Sequence, residues 1–322
     1  MIDRLKTRLW LIALLGAAFV LLVVLPPFLP VFFVQLMGQS LIYGIVATSL
    51  DILVGYSGMP SLGHGGYFAV GAYTTAILST RYGAGFALTL PSSILMAVVL
   101  SALLGLLVLR ATWVYFLMIT LAFAMCIWGL IDQWVSFTRG ENGIRGIPRP
   151  SIGLPADLTD TVVFYYFILF FFIVCITLMV LFIRSPFGKT LIGIRDSPTR
   201  MSTLGCNIWL HKYLVFIIAA AFAGLAGCLF AYFNQFVGPD DANLETCMEF
   251  FLMVSIGGQG TLVGPNIGAF LITFLKNMLS IYTERWLMVL AIIYILCAKY
   301  TPMGIIGFVK KGLKRYGYRS AF

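Results

Sequence analysis

The chain contains long runs of apolar residues, each close to the length that crosses a lipid bilayer. A transmembrane helix needs roughly 17–25 mostly apolar residues, because the hydrocarbon core of the bilayer is about 30 Å thick. Of the 322 residues, 61% are hydrophobic and 10% are charged, whereas soluble proteins carry about 25% charged residues. The sequence therefore predicts an all-α polytopic integral membrane protein, with one transmembrane domain over residues 1–322.

Hydropathy predicts about ten membrane-spanning helices. The first apolar run is longer than the core of a signal peptide and has no small-residue cleavage site after it, so we expect a retained helix. The eighth run is too short to cross alone, and we expect it to be a broken helix continued by the glycine-rich segment that follows. The predicted spans are residues 9–25, 31–54, 61–80, 86–109, 112–135, 162–183, 213–236, 247–258, 262–281 and 286–308.

The distribution of Lys and Arg predicts the orientation of the chain. If the N-terminus is cytoplasmic and the spans alternate, fourteen of these residues lie inside and five outside. Cytoplasmic segments of membrane proteins carry the excess of positive charge. We therefore expect both termini to be cytoplasmic. The net charge of +9 does not indicate nucleic-acid binding, since no polar stretch interleaves Lys or Arg with aromatic residues.

The residues that usually bind metals, form disulfides or hold nucleotides are not arranged for those roles. None of the six cysteines forms a C-x-x-C pair, and the chain has only two histidines. The phosphate-binding pattern G-x-x-x-x-G-K-[ST] is absent, so the chain does not bind ATP in the manner of P-loop proteins. The sequence thus predicts no catalytic residue, cofactor site or metal site on this chain.

A polar loop at about residues 184–212, on the predicted cytoplasmic side, has a helical pattern of its own. Phe187, Leu191 and Ile194 recur at the spacing of one helix face, and Ser197-Pro198 is typical of the start of a second helix. Two such short amphipathic helices are not stable alone in water, so each needs a surface to cover its apolar face. That surface is either the membrane and the chain's own helices, or a cytoplasmic partner protein.

The segment GYSGMPSLGHGGYFAVGAY, residues 55–73, allows two interpretations. In the first, Ser57 and His64 form an intramembrane serine hydrolase, but seven residues of helix would separate them by about 10 Å. In the second, the glycines and Pro60 break the helix, as transporter helices break beside a substrate pathway. A similar segment, GGQGTLVGPNIGA, occupies residues 257–269, and whether the two are a true repeat stays open. The second interpretation makes ten residues candidates for the break and the pathway: Gly55, Gly58, Gly63, His64, Gly65, Gly257, Gly258, Gly260, Gly264 and Pro265.

Charged residues in or beside apolar runs are candidates for a function by default. Asp51, at the inner end of its span, is expected to face cytoplasmic water. Lys276 is expected to extend its ammonium group toward the membrane surface. Glu249, near an outer end, is either solvated or part of the pathway.

Several segments resemble one family. The loop segment RSPFGKTLIGIRDSPTRMSTLGCN resembles the cytoplasmic coupling segment of LivH/LivM permeases, which belong to ABC importers for branched-chain amino acids. SLDILVGYSGMPSLGHGGYFAVGAY, YFLMITLAFA, TRGENGIRGIPRP and EFFLMVSIGGQGTLVGPNIGAFL are similar to further segments of that family in the same order. The chain departs from the family pattern at Gly193, usually Ala, at Met201, usually small, and at Asp51, usually Asn. The residues carried over as ATPase-coupling residues are Phe187, Gly188, Leu191, Ile194, Arg195, Asp196, Gly205 and Asn207.

The resemblance implies a permease subunit, not an enzyme, in the inner membrane of a bacterium. Its implied partners are a homologous second permease, two cytoplasmic ATPase subunits that bind ATP and magnesium, and an external substrate-binding protein. The implied substrates are branched-chain amino acids, with urea, short amides or other amino acids as alternatives within the same family. A stand-alone secondary transporter and an intramembrane serine hydrolase are the alternatives outside it.

Overall fold

The structure, a computed structural model, describes residues 20–111, 113–150 and 160–282, together with a few positions between 285 and 307. Helices dominate this part of the chain. They are α1 (Val31–Asp51), α2 (His64–Tyr82), α3 (Phe86–Val108), α4 (Val114–Gln133), α5 (Val135–Thr138), α6 (Thr161–Arg184), α7 (Pro186–Asp196), α8 (Pro198–Thr203), α9 (Ile208–Asn234), α10 (Leu244–Gly257) and α11 (Gly264–Tyr282).

Five of these helical segments are long and apolar enough to cross a membrane: Val31–Tyr56, Phe86–Val108, Val114–Gln133, Thr161–Arg184 and Ile208–Asn234. They coincide with five of the predicted spans, which confirms the all-α membrane class. The predicted spans 61–80, 247–258 and 262–281 correspond to α2, α10 and α11. The predicted spans 9–25 and 286–308 lie mostly outside the described residues, as do residues 151–159 of the long outer loop.

The connections predicted for the outer side meet one another. Strand β1 (Ile144–Arg145) pairs antiparallel with β2 (Phe236–Val237), although the two lie in different loops. Short 3₁₀ turns at Pro26–Phe28, Gly140–Asn142 and Pro239–Ala242 complete the irregular segments. The loop after α4 and the end of α9 are therefore held together at one end of the bundle.

Helix α1 is the centre of the bundle, and nearly all of its side chains from Leu36 to Asp51 are buried. Tyr43 packs edge-on against Phe250 of α10, with ring centroids 5.3 Å apart, and stacks with Phe230 of α9 at 5.9 Å. Phe68 of α2 contacts both of those phenylalanines. Aromatic pairs of this kind add about 0.5–1.5 kcal/mol to simple burial. This cluster joins α2, α9 and α10 to α1.

Helices α2 and α9 approach each other closely because small residues face each other at their crossing. A methyl group at Gly71 would overlap the backbone of Gly224, and one at Gly227 would overlap the carbonyl oxygen of Phe68. Small residues are the usual means of close helix packing in membranes, where apolar side chains gain little by leaving lipid. In contrast, α3, α4 and α6 leave many leucines, valines and phenylalanines exposed, as lipid-facing helices do.

Candidate functional site

The first glycine-rich segment breaks the helix where the sequence predicts. Helix α1 is regular up to Asp51 and is followed directly by a π-helical turn over Ile52–Tyr56. The chain is then not helical again until His64. π-Helical turns are frequently found at functional sites. The non-helical backbone is held by neighbours, since the Leu62 N–H donates to Thr120 Oγ1 of α4 at 3.1 Å. Irregular backbone within a bilayer is tolerated only where protein or a cavity covers it.

Ser57 and His64 do not form a nucleophile–base pair. The Ser57 hydroxyl donates to the Leu53 carbonyl oxygen at 2.7 Å, and neither ring nitrogen of His64 has a hydrogen-bond partner. Both side chains are buried, and His64 packs edge-on against Tyr67. The segment is therefore a helix break and not a hydrolase site. In the part of the chain that the structure describes, no three His, Cys, Asp or Glu side chains form a group able to hold a metal ion.

The second glycine-rich segment separates α10 from α11. Gly258 and Gly260 have φ angles of +117° and +72°, which side-chain-bearing residues rarely adopt. Helix α11 then begins at Gly264-Pro265. A methyl group at Gly257 would overlap the Gly264 carbonyl oxygen, so the two helices meet directly at the turn.

The two breaks contact each other, although about two hundred residues separate them in sequence. The Gly260 N–H donates to Asp51 Oδ1 at 2.7 Å. Gly55 lies against the same amide, and a methyl group at Gly55 would overlap both the Gly260 nitrogen and Asp51 Oδ1. The expectation that Asp51 faces cytoplasmic water is wrong, since its side chain is fully buried. Its carboxylate serves as the acceptor for a backbone N–H that the second break leaves without a helical partner.

Arg195 connects the loop helices to this contact. Its guanidinium donates through Nη1 to the Gly55 carbonyl oxygen, and it also pairs with Asp196 at 3.0 Å. Gly58, at φ +71°, lies directly against the aliphatic part of the Arg195 side chain. We call Asp51, Gly55, Gly58, Arg195 and Gly260 the coupling junction, because they join α7 to both helix breaks.

The apolar face of α7 covers the chain's own bundle. Leu191 and Ile194 are completely buried, and Phe187 stacks on His211 of α9 with ring centroids 5.0 Å apart. Gly188 lies against the Ile183 backbone, where a side chain would not fit. The sequence left open whether the apolar face of α7 is covered by the chain's own helices or by a partner protein. The chain's own helices cover it.

Helix α8 differs from α7, because none of its residues is buried. Leu204, which follows it, is 76% exposed. Gly205 ends the helix at φ +82°, and the Asn207 side chain caps the start of α9 by accepting from the Leu210 N–H at 3.1 Å. Gly205 and Asn207 thus shape the loop, while the exposed surface is offered by α8, Leu204 and Asp196.

The remaining break residues pack elsewhere. Gly63 contacts Thr120 of α4, and Gly65 lies so close to Cys247 of α10 that a methyl group would overlap its sulfur. These residues, with His64, form the start of α2 inside the bundle and are not part of the coupling junction. Thr120 and Cys247 were not candidates from sequence, since a lone Thr or Cys in an apolar run carries no pattern.

An ion pair between a half-buried Lys276 and a buried Glu249 joins α10 to α11 farther along these helices. The Lys276 ammonium donates to Glu249 Oε1, and the Glu249 side chain is only 4% exposed. The expectation that Lys276 simply extends to the membrane surface is therefore wrong. The pair satisfies a carboxylate that would be costly to bury alone.

The sequence that forms this helical bundle matches a protein-family model. The model described as "Branched-chain amino acid transport system / permease component" matches residues 32–298. The chain belongs to this permease family. It is accordingly a transport permease subunit and not itself an enzyme, and its multi-pass membrane location follows from the same match and the apolar helices.

Individual permeases are similar over nearly the whole chain. The chain is 31% identical to the high-affinity branched-chain amino acid transport system permease protein LivM of Escherichia coli K12, over 97% of this chain and 78% of that protein. It is 30% identical to LivM of Salmonella typhimurium with the same coverage. It is 25% identical to the probable permease protein LivH of Methanocaldococcus jannaschii, over 84% of this chain and 90% of that protein. No solved structure matches the chain.

Proposed function

We propose that this permease and a second, homologous permease form the membrane pathway of an ABC importer for branched-chain amino acids. Two cytoplasmic ATPase subunits bind ATP and magnesium and supply the work, and an external binding protein delivers the solute. Similarity to both LivM and LivH proteins supports a pair of related permeases. The substrate is taken from the names of these relatives.

We further propose ten membrane spans, cytoplasmic termini and a location in a bacterial inner membrane. The contacts in the structure are consistent with this topology. Arg81, in a predicted outer connection, donates to the carbonyl oxygens of Ser136 and Phe137 in another outer connection. The coupling junction joins only segments predicted to lie on the inner side.

The coupling junction is the observation that carries the mechanism. When the ATPases close on ATP, they move the exposed surface formed by α8, Leu204 and Asp196. Helix α7 moves together with this exposed surface as a rigid piece. Because Leu191 and Ile194 are buried against the bundle, the movement of α7 is transmitted to the bundle. Arg195 passes the displacement to Gly55 in the first break, and Asp51 passes it to Gly260 in the second. Helices α2 and α11, which begin after the breaks, then tilt and change the side from which the pathway is open.

Reconstitution tests the proposed function. The chain is co-expressed with its companion permease and ATPases, placed in proteoliposomes, and supplied with leucine-loaded binding protein on the side opposite to ATP. We expect leucine to accumulate only when all subunits and ATP are present. Accumulation by this chain alone, driven by an ion gradient without ATP, would contradict the proposal and favour a secondary transporter.

A further inference from the structure

A polar pocket lies at the end of the bundle opposite to the coupling junction. It occupies about 280 Å³ between the starts of α1 and α6 and the ends of α9 and α11. Five side-chain amides line it, from Gln35, Gln39, Asn234, Gln235 and Asn277. A side-chain amide has two N–H donors and an acceptor oxygen. Gln39 uses one donor on the Tyr43 hydroxyl at 3.2 Å and Asn277 uses one on the Thr273 carbonyl oxygen at 2.8 Å, which leaves one donor and the oxygen of each for a ligand.

One wall of the pocket is apolar. Phe32 and Leu36 of α1 and Phe233 of α9 provide it. Ligand sites are commonly apolar clefts with a few polar groups that orient the bound molecule. The volume of about 280 Å³ is just below the range of about 300–1,000 Å³ that such sites occupy, so the pocket suits a small solute.

The electrostatics of the pocket have two poles. Thr161 is the first residue of α6, where the helix dipole favours an anion, although the Val162 N–H already donates to the Asp160 carboxylate. Arg149 adds a guanidinium that lies over the Phe164 ring at 5.0 Å. Asn234 is the last residue of α9, where free carbonyl groups favour a cation. Asp160, which caps α6, attracts Arg149 from outside the lining. No carboxylate is among the described residues that line the pocket.

We propose that this pocket is a binding site for a small zwitterionic amino acid with an apolar side chain. The carboxylate binds beside Arg149 and the start of α6, the ammonium group binds to amide and helix-end carbonyl oxygens, and the apolar side chain lies on Phe32, Leu36 and Phe233. That the bound amino acid is the transported solute rests on the proposed import function. The fit between the pocket's groups and an amino acid does not depend on that function.

The pocket and the coupling junction lie on the same helix. Gln39 lines the pocket and Asp51 accepts the hydrogen bond of the second break, twelve residues farther along α1. Twelve residues of α-helix span about 18 Å. The pocket therefore lies on the side from which the binding protein is proposed to deliver the solute. The aromatic cluster around Tyr43 separates it from the coupling junction.

Two substitutions of matched size test the site in the assembled transporter. Gln39→Leu and Asn277→Leu remove pocket amides, while Gln133→Leu removes an exposed amide at the end of α4, outside the pocket. We expect each pocket variant to lower leucine import about ten-fold, the effect of losing a hydrogen bond to a charged group. ATP hydrolysis stimulated by the binding protein should stay within two-fold of the unsubstituted complex, and Gln133→Leu should leave both rates unchanged.

A binding measurement separates the site from the import function. Gln35→Cys is alkylated in the purified complex with a small maleimide, and modification at that position is followed by mass spectrometry. We expect leucine to slow this modification, and isovalerate or isoamylamine, which lack one of the two charges, to slow it much less. This result requires no transport, so it holds or fails independently of the reconstitution experiment.

Three outcomes would overturn the site. The first is unchanged import by both pocket variants in a complex that does import leucine. The second is a parallel loss of import and stimulated ATP hydrolysis, which would indicate structural damage. The third is equal protection of Gln35→Cys by leucine and by the singly charged analogues.

Discussion

The Asp51 carboxylate accepts a hydrogen bond from the Gly260 backbone N–H at 2.7 Å, across 209 residues of sequence. The acceptor lies at the end of α1 and the donor lies in the turn between α10 and α11. A buried side chain thus completes the backbone hydrogen bonding of a distant broken helix. This contact makes the two breaks one mechanical unit.

The nature of the acceptor at position 51 can be tested by two substitutions. Asp51→Asn keeps a carbonyl oxygen for the Gly260 N–H, whereas Asp51→Leu removes it and leaves the N–H without a partner. We expect Asp51→Asn to retain most import and Asp51→Leu to lower the free energy of unfolding by about 1–3 kcal/mol. Thermal unfolding in detergent measures the second effect. Equal stability of the two variants would show that the hydrogen bond contributes nothing.

Arg195 should control the coupling of ATP hydrolysis to transport. Arg195→Gln shortens the side chain and removes the charged donor to the Gly55 carbonyl oxygen. We expect leucine imported per ATP hydrolysed to fall at least about five-fold, because a hydrogen bond from a charged group contributes about 1.5–3 kcal/mol. Lys189→Gln, an exposed change on the same helix, should leave the ratio unchanged. A fall of the same size in both variants would indicate a general effect of charge on α7.

Two leucines of the loop, Leu191 and Leu204, should behave in opposite ways. Leu191 is fully buried, so Leu191→Ala should destabilise the permease by about 2–5 kcal/mol. Leu204 is 76% exposed, so Leu204→Ser should not destabilise the fold but should reduce the amount of ATPase that co-purifies with the permease pair. Thermal unfolding and affinity purification measure the two effects. Normal ATPase recovery with Leu204→Ser would remove this surface from the proposed contact.

The segment Pro239–Ala242, which is predicted to lie outside the membrane, should make stability depend on pH. Burial raises the pKa of the Asp241 carboxyl to about 7, even though the Gly238 N–H, which donates to it at 3.0 Å, favours the ionised form. The folded state therefore favours the protonated carboxyl, and this stabilisation is present below about pH 4 and is lost as the pH rises toward 7. We expect the melting temperature to fall between pH 5 and pH 8.

The same pH series with Asp241→Asn provides the control. The amide oxygen still accepts from the Gly238 N–H but does not titrate, so the fall should be smaller in this variant. Glu141→Gln, an exposed change in another outer connection, should keep the full dependence. An identical pH profile for the Asp241→Asn variant would assign the effect to other groups.

The sequence predicts the helices and both breaks well, because hydropathy and glycine content are local signals. The positions of α7, α8 and the turn at Gly205 follow from caps and spacing in the same way. The contact between the breaks was not predictable, since it depends on how α1, α10 and α11 pack. The position of Asp51 at the end of an apolar run allows either solvation or burial, and only the Gly260 N–H in the folded chain decides between them. Lys276 is a similar case, since its partner Glu249 lies on another helix.

Transmission of movement from α7 to the first break is the central requirement of the coupling mechanism, and a disulfide tests it most directly. A Cβ atom at Gly58 would lie 3.6 Å from the Arg195 Cβ atom, within the range of about 3.5–4.5 Å found in disulfides. In the assembled transporter, the double variant Gly58→Cys with Arg195→Cys is compared before and after reduction, with each single variant as control. We predict that the oxidised double variant imports leucine faster than its reduced form, because the cross-link replaces the contact of Arg195 with the first break, and that the reduced form is as slow as the Arg195→Cys single variant. An oxidised, fully cross-linked transporter that imports leucine no faster than its reduced form would contradict the mechanism.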